Sequence, residues 1–416
     1  MIKPDYRDGP PKDTSQYASH IAAIYHDGVF ANQLPIVTTN PVALEDHARE
    51  VMSETAFGYI YGGAGEMSTM DANRLAFRQW KLIPRCLKPC CPRSLDVELF
   101  GVTYKSPVIM APVGVQGFFH PHGEKGLVEA CTELRIPYIL STAATSTIED
   151  IGDACGAHPH WYQLYWPKDN EITVSLLTRA QKSGYSTLVV TLDTVAVAWR
   201  PHDLDIANLP FLTGTGNAVG FSDPVFRAKF SDMTHGDTPE GNPVAASKYW
   251  IGEVFSGEHH SWEDLQLLRN NWNGPIVLKG IMCADDARLA YQYGIDGIVV
   301  SNHGGRQLDG AVASLEMLPE IVEAVGNKMT ILFDSGIRTG ADIMKALALG
   351  ADAVFVARPV LYGFGIAGKE GAKSVLAGLL ADLDQSMKIS GFSSIKELNS
   401  VILKRVSYGG DMRSTW

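Results

Sequence analysis

The residues best suited to do chemistry stand together in Ser301-Asn-His303-Gly-Gly-Arg306-Gln307, where two glycines separate an imidazole from a guanidinium. Imidazole titrates near neutrality and takes up a proton without first being forced into an unusual charge state, so His303 reads as a general base. Asp193 ends another apolar run. A carboxylate there can orient the imidazole and stabilise the cation it becomes. The two glycines put little bulk beside His303, which predicts room for a substrate. Arg306 and Arg200 offer planar donor forks that match a carboxylate. A base with two such forks suits a small carboxylic acid whose α-carbon is acidic or oxidisable.

A second group of residues points to a phosphorylated cofactor. Asp334-Ser335-Gly336-Ile337-Arg338-Thr-Gly340 and Ala357-Arg358-Pro359 follow apolar runs and place basic residues beside tight backbone. Backbone N–H groups and guanidinium groups at such points hold phosphate. Asp334 does not suit a phosphate, but it can accept hydrogen bonds from the hydroxyls of a sugar-like chain. Lys279 has two readings, a Schiff-base lysine or a cation stabilising negative charge on a cofactor ring. Beside the phosphate grips and the base, the second is preferred, and the ring is read as a flavin. No G-x-G-x-x-G follows a predicted strand, which argues against a dinucleotide. Of the six cysteines only Cys86, Cys90 and Cys91 cluster, and no second ligand pair follows, so no metal site is expected.

These side chains need elements to position them. Short apolar runs rich in β-branched residues recur at 108–113, 138–142, 161–165, 187–193, 275–280, 297–302, 330–334 and 353–357. Helical spacing lies between them. Strands buried on both faces and alternating with helices predict a parallel sheet, and eight units predict a closed (β/α)8 TIM barrel of the α/β class, with an open doubly wound sheet as the alternative. Polar residues gather at the carboxyl tips of the runs: Ser141, Gln163, Tyr165, Thr191, Asp193, Lys279, Ser301, His303 and Asp334. That is the end where a barrel builds its site. The connection 194–274 is rich in Gly, Pro, Asp and Asn. Its part 194–260 is expected to be an irregular lid over that end, or else a subunit contact.

Ahead of the barrel, segment 1–40 reads as a polar arm. Residues 41–107 should hold one helix from Pro41 to Gly62, a second over 67–80 and a hairpin at 95–104, packed on the barrel. The barrel is assigned to 108–392 and a tail to 393–416. Of the 416 residues, 45% are hydrophobic and 19% charged, a globular composition with material for a large core. A net charge of -11 disfavours a sequence-independent hold on nucleic acid. No apolar run reaches the roughly 18 residues that cross a bilayer, and the start lacks a secretory pattern, so no membrane partner and a cytoplasmic location are expected.

Together the Ser301–Gln307 motif, Val277-Leu-Lys-Gly280, Tyr162-Gln-Leu-Tyr165, Asp334-Ser-Gly-Ile-Arg338 and Ala357-Arg358-Pro359 resemble the FMN-dependent α-hydroxy-acid oxidase and dehydrogenase family. Tyr162-Gln-Leu-Tyr-Trp-Pro167, Trp199-Arg200-Pro201 and Asp223-Pro-Val-Phe226 are similar to its lactate 2-monooxygenase branch. The resemblance implies His303 as base and Asp193 as its orienting partner. It places the substrate carboxylate on Tyr59, Arg200 and Arg306, and the substrate hydroxyl on Tyr165. It puts Lys279 beside the reduced flavin, Pro112, Val113 and Gly114 near the flavin N5, and Ser141, Gln163, Thr191 and Ser301 along its rim. Asp334 would hold the ribityl chain, with Ser335, Gly336, Ile337, Arg338, Ala357 and Arg358 around the phosphate. The implied partners are a small L-2-hydroxy acid and O2, in a homotetramer or homo-octamer. Ala143 replaces a residue often aromatic in this family.

Overall fold

The computed structural model describes residues 17–407. Expectations for the first sixteen residues and for 408–416 fall outside that span. The remainder of the expected arm carries helix α1 (Ala18–Ala31). The single helix expected from Pro41 to Gly62 is two, α2 (Pro41–Val51) and α3 (Glu54–Tyr61). The break comes at Met52 and Ser53, because the Ser53 hydroxyl accepts from the Ala56 N–H and starts a helix of its own. Helix α4 (Ser68–Gln79) and an antiparallel hairpin of β2 (Val97–Leu99) and β3 (Val102–Tyr104) follow as expected, and between them lies a strand the sequence did not suggest, β1 (Trp80–Leu82).

Each of the eight apolar runs forms a strand: β4 (Val108–Met110), β5 (Tyr138–Ser141), β6 (His160–Tyr165), β7 (Leu188–Thr191), β8 (Ile276–Ile281), β9 (Gly297–Val300), β10 (Thr330–Phe333) and β11 (Ala353–Val356). They close into one parallel barrel in the order β10-β11-β4-β5-β6-β7-β8-β9. Side chains alternate between the two faces of every strand. One file, including Met110, Tyr138, Leu140, Tyr162, Leu188, Leu278 and Val300, packs under the surrounding helices. The other fills the barrel with Ile109, Ile139, Trp161, Val189, Val277, Val299, Leu332 and Phe355, joined by Val97, Leu99 and Tyr104 of the hairpin. The hairpin thus plugs one end of the barrel. Trp161, fully buried, donates its indole N–H to the Tyr104 hydroxyl at 3.3 Å.

The connection after β7 differs most from expectation. It contains helices Pro201–Leu204, Ala218–Phe221, Pro224–Thr234, Pro243–Val254 and Leu265–Asn271, and a 3-10 turn at Pro210–Thr213. Pro201, Pro210, Pro224 and Pro243 each open a helical element, and Asp223 and Asn242 cap two of them. The composition that suggested loop therefore marks helix starts. Phe226, Phe230 and Trp250 from this connection are buried in the main core. Helix Arg358–Ser390 closes the ring of helices. In the expected tail, β12 (Leu403–Arg405) pairs antiparallel with β1.

Candidate active site

The interior file of each strand continues, by steps of two, into the polar residues. Ile139 leads to Ser141, Trp161 to Gln163 and Tyr165, and Val189 to Thr191 and Asp193; Val277, Val299 and Leu332 lead to Lys279, Ser301 and Asp334. One alternation therefore sets the apolar plug and the polar layer above it. Over that layer lies a cavity of about 1090 Å³, its solvent mouth included. Tyr59, Pro112, Val113, Gly114, Tyr165, Arg200, Lys279, His303, Arg306, Asp334, Ser335, Gly336, Ile337, Arg338, Ala357 and Arg358 line it, as the sequence places them.

Five expected residues are not in its lining. Asp193 and Ser301 stand one bond behind it: Asp193 pairs with His303, and Ser301 accepts from the Lys279 ammonium at 3.0 Å. Ser141, Gln163 and Thr191 are turned on one another. Ser141 donates to Gln163 Oε1 at 2.9 Å, and Gln163 Nε2 donates to the Thr191 hydroxyl at 2.9 Å.

His303 Nδ1 lies 2.8 Å from Asp193 Oδ1. Thr194 donates to the same oxygen at 2.9 Å, and its hydroxyl is 3.1 Å from His303 Nδ1. With a carboxylate at Nδ1 the proton belongs on that nitrogen, and Nε2 keeps its lone pair. Among the described residues nothing bonds Nε2. Burial drives the pKa of His303 below its usual value, against the pull of Asp193, with Lys279 and Arg200 lowering it further. The imidazole is thus neutral and able to accept. Burial opposes the charge on Asp193, but His303 and Lys279 outweigh it and hold the carboxyl at about 2. Lys279 reaches Asp334 at 3.5 Å; burial would strip its proton, but Asp334 and Asp193 raise its pKa and keep it cationic.

The loop carrying His303 is wound the rare way. His303, Gly304 and Gly305 have φ of 58°, 66° and 73°, a left-handed run that side chains disfavour. Gly304 lines the cavity beside His303, in keeping with the room the sequence suggested, but both glycines are also needed for packing. A Cβ on Gly304 would meet Arg358 Nη1 at 2.7 Å, and one on Gly305 would meet the Met70 backbone of α4 at 2.8 Å.

Arg306 Nη1 donates to the carbonyls of Tyr59 at 2.6 Å and Gly62 at 2.7 Å, and the guanidinium lies 5.1 Å from the centre of the Tyr59 ring. Arg358 donates to carbonyls of Ile60 and Gly304, at 2.9 and 2.8 Å. Among the described residues no carboxylate lies within 4.0 Å of the guanidinium groups of Arg306, Arg338 or Arg358; Asp342 meets Arg338 only at its backbone N–H, at 3.1 Å. Burial, followed by neighbouring guanidinium groups, lowers Arg306 to about 9, and burial lowers Arg358 to about 10. Buried or half-buried cations that line a cavity without counter-ions call for an anion from outside the chain. Arg306 belongs to the His303 end of the cavity. Arg338 and Arg358 also line an opening between α2 and α4, with Arg74 and Gly336.

This arrangement fits FMN: a phosphate for Arg338 and Arg358, hydroxyls for Asp334, and Lys279 rising from the barrel floor. A family description, FMN-dependent dehydrogenase, matches residues 48–405. The chain belongs to that family. It is 55% identical to the FMN-dependent alpha-hydroxy acid dehydrogenase qulF of Penicillium citrinum, over 96% of this chain and 98% of that protein. It is 39% identical to an L-lactate oxidase of Lysinibacillus sphaericus, over 86% of this chain and 91% of the relative. A solved structure of mandelate oxidase superposes with a TM-score of 0.77 at 33% identity, over 88% of this chain and 98% of the other. The protein is thus an FMN-dependent oxidoreductase of α-hydroxy acids. Among the described residues no helix is long and apolar enough to cross a membrane.

Sequence reasoning gave no role to Phe119, Phe211 or Phe255, which also line the cavity. They form a belt with two tyrosines: Phe119 to Tyr59 at 5.9 Å, Tyr59 to Phe211 at 6.5 Å, Phe211 to Phe255 at 5.6 Å and Phe255 to Tyr165 at 5.1 Å. Phe211 and Phe255 come from the connection after β7, where no periodicity marks them. Thr194 was legible only as the neighbour of Asp193.

Proposed function

We propose that this family member oxidises a small L-2-hydroxy acid, of the size of L-lactate, to the 2-oxo acid, with O2 as the final electron acceptor. The observation that carries the reading is a neutral imidazole with a free Nε2, in one cavity with two guanidinium groups and two protonated tyrosines. Burial raises the pKa of both Tyr59 and Tyr165, so each hydroxyl remains a donor. Arg200, Arg306 and Tyr59 hold the substrate carboxylate, and Tyr165 bonds the substrate hydroxyl oxygen. His303 Nε2 takes a proton from the substrate, and Asp193 stabilises the imidazolium that forms. Bound FMN supplies a two-electron acceptor. Lys279 holds positive charge beside it, and the Arg338 and Arg358 side chains hold its phosphate. Ser141, Gln163, Thr191 and Ser301, bonded to one another and to Lys279 beneath the cavity, would support the residues that hold the ring.

The aromatic belt supports a short substrate side chain, since its rings pack on one another around the base. It also supports the monooxygenase outcome. If the covered site keeps the 2-oxo acid and peroxide together, L-lactate and O2 leave as acetate, CO2 and water. Mixing the FMN-loaded protein with L-lactate and O2 and measuring pyruvate, peroxide and acetate tests this. Acetate without peroxide supports retention; abundant peroxide without acetate makes the protein a simple oxidase. Failure of anaerobic L-lactate, and of longer L-2-hydroxy acids, to bleach the flavin defeats the reading. A dehydrogenase passing electrons to a quinone or cytochrome is the second reading, favoured by the names of relatives. Faster reoxidation by a quinone than by O2 would select it. The exposed Tyr25, Val29 and Phe30 of α1 support assembly of four or eight copies, which light scattering tests.

A further inference from the structure

Arg200 lies on a stretch of chain, 194–200, that forms neither helix nor strand. Its position therefore depends on side-chain and loop hydrogen bonds. Two of its three guanidinium nitrogens are anchored to consecutive residues of the His303 loop. Nε donates to the Arg306 carbonyl at 3.0 Å, and Nη2 donates to Gln307 Oε1 at 2.7 Å. The other end of the same amide turns back on the stretch itself: Gln307 Nε2 donates to the carbonyls of Asp193 at 3.0 Å and Ala196 at 3.2 Å. The amide can point only one way, because a guanidinium has no acceptor and a carbonyl has no donor. Elsewhere the stretch is tied by Gly257 N–H to the Val195 carbonyl at 2.9 Å, by Gly65 N–H to the Trp199 carbonyl at 3.0 Å, by the Thr194 hydroxyl, and by the Arg200 carbonyl, which accepts from the Asp203 and Leu204 N–H groups at 3.0 and 2.9 Å. The third guanidinium nitrogen, Nη1, lies 4.0 Å from Asp203 Oδ2, which leaves the amide of Gln307 as the contact that joins this fork to the Asp193 backbone.

We propose that Gln307 is a positioning residue, whose amide locks the Arg200 fork and the backbone of Asp193 into one register, so that carboxylate receptor and base partner face the same substrate. The proposal rests on the reading of Arg200 as a carboxylate receptor. No other residue type does both jobs with this reach. Glutamate keeps the acceptor for Arg200, loses the donor to Asp193 and Ala196, and neutralises the fork. Leucine keeps the bulk and loses both bonds. Each bond to the guanidinium is charge-assisted, the kind whose loss is felt most.

The test uses the full-length FMN-loaded chain and the variants Gln307→Leu and Gln307→Glu. Oxalate, an unreactive dicarboxylate, is titrated by its perturbation of the flavin absorbance, and flavin reduction by L-lactate and by L-mandelate is followed anaerobically. FMN content and melting temperature report folding. With both of these retained, oxalate should bind on the order of tenfold more weakly in each variant, and KM should rise by a larger factor than kcat falls. A merely structural role would lower FMN content and both kinetic constants together. Should the leucine variant fail to fold, the glutamate variant decides. Wild-type oxalate affinity in a folded variant overturns the proposal and leaves the carboxylate reading of Arg200 standing. A wild-type protein whose flavin neither responds to oxalate nor is reduced by either acid overturns that reading, and the proposal falls with it.

Discussion

His303 Nδ1 and Asp193 Oδ1 meet at 2.8 Å from positions 110 residues apart, one just after β9 and the other just after β7, with β8 between them. Asp193 Oδ2 is buried and has no hydrogen-bond partner, so this carboxylate is committed to the imidazole and to Thr194. The pair predicts a specific pH dependence. His303 loses its proton below the usual 6.5, mainly through burial. The base is therefore free above that lowered value, and the rate of flavin reduction should climb through an acid limb below pH 6.5 and then stay level to neutrality. Asp193→Asn removes the group that raises the imidazole pKa, so the limb should move to still lower pH and the rate fall on the order of a hundredfold or more. Stopped-flow reduction across pH checks both. A limb above pH 6.5 contradicts the assignment.

Asp193 also links pH to stability. Its carboxyl is held at about 2 against an ordinary 3.8. A depressed acid stabilises the fold above its unfolded pKa, and the contribution fades as pH falls through the folded one. The gap corresponds to roughly 2 kcal/mol. Denaturant titrations should show wild type ahead of Asp193→Asn at pH 7, with the lead shrinking between about pH 4 and pH 2. A lead that grows on acidification would contradict the pairing.

Three guanidinium groups, one buried and two half-buried, without carboxylate partners make the fold depend on outside anions. Stripping FMN should lower the melting temperature, and inorganic phosphate should restore part of it through Arg338 and Arg358. At a hundredfold excess over its Kd, an anion contributes about 2.7 kcal/mol. Differential scanning fluorimetry of stripped and loaded protein with added phosphate makes the comparison. Equal phosphate effects on both would mean that the anion binds elsewhere.

The barrel was legible because each strand is buried on both faces and so reads as an unbroken apolar run, and because its polar tips keep the parity of the interior file. Lys279 follows Val277, and Asp334 follows Leu332, at the spacing that aims them inward. The connection after β7 was not legible. Its prolines and its Asp223 and Asn242 open helices, yet they have the composition of a loop, and only the hidden Phe226, Phe230 and Trp250 distinguish the two. The reason for the glycines beside His303 was also out of reach, since Met70 and Arg358 press on them from distant parts of the chain.

The plug beneath the polar layer sets the next expectation. Trp161 is fully buried, meets Phe100, Tyr104 and Phe355 edge-on at 5.9, 6.2 and 6.2 Å, and holds the hairpin in the barrel through its indole N–H. Trp161→Ala should cost about 3–5 kcal/mol, the range for emptying a large aromatic site in a core. Equilibrium unfolding measures it. A loss under about 1 kcal/mol would mean that the barrel collapses around the gap or that the hairpin does not depend on this ring.

Phe255 tests what the aromatic belt does. It touches both Tyr165 and Phe211, so its ring joins the tyrosine proposed to bind the substrate hydroxyl to the long connection after β7. Phe255→Ala removes a wall of the cavity and leaves Arg200, Arg306 and His303 in place. The ratio of kcat/KM for L-2-hydroxy acids with four- to six-carbon chains over that for L-lactate should therefore rise, on the order of tenfold, since each further buried methylene is worth about 0.8 kcal/mol. If wild type makes acetate, the same variant should release more peroxide, because a thinner cover lets products part before they react. Steady-state kinetics over the acid series and a peroxide assay read the two effects. An unchanged ratio would show that substrate side chains point away from this ring and that another part of the cavity sets their length.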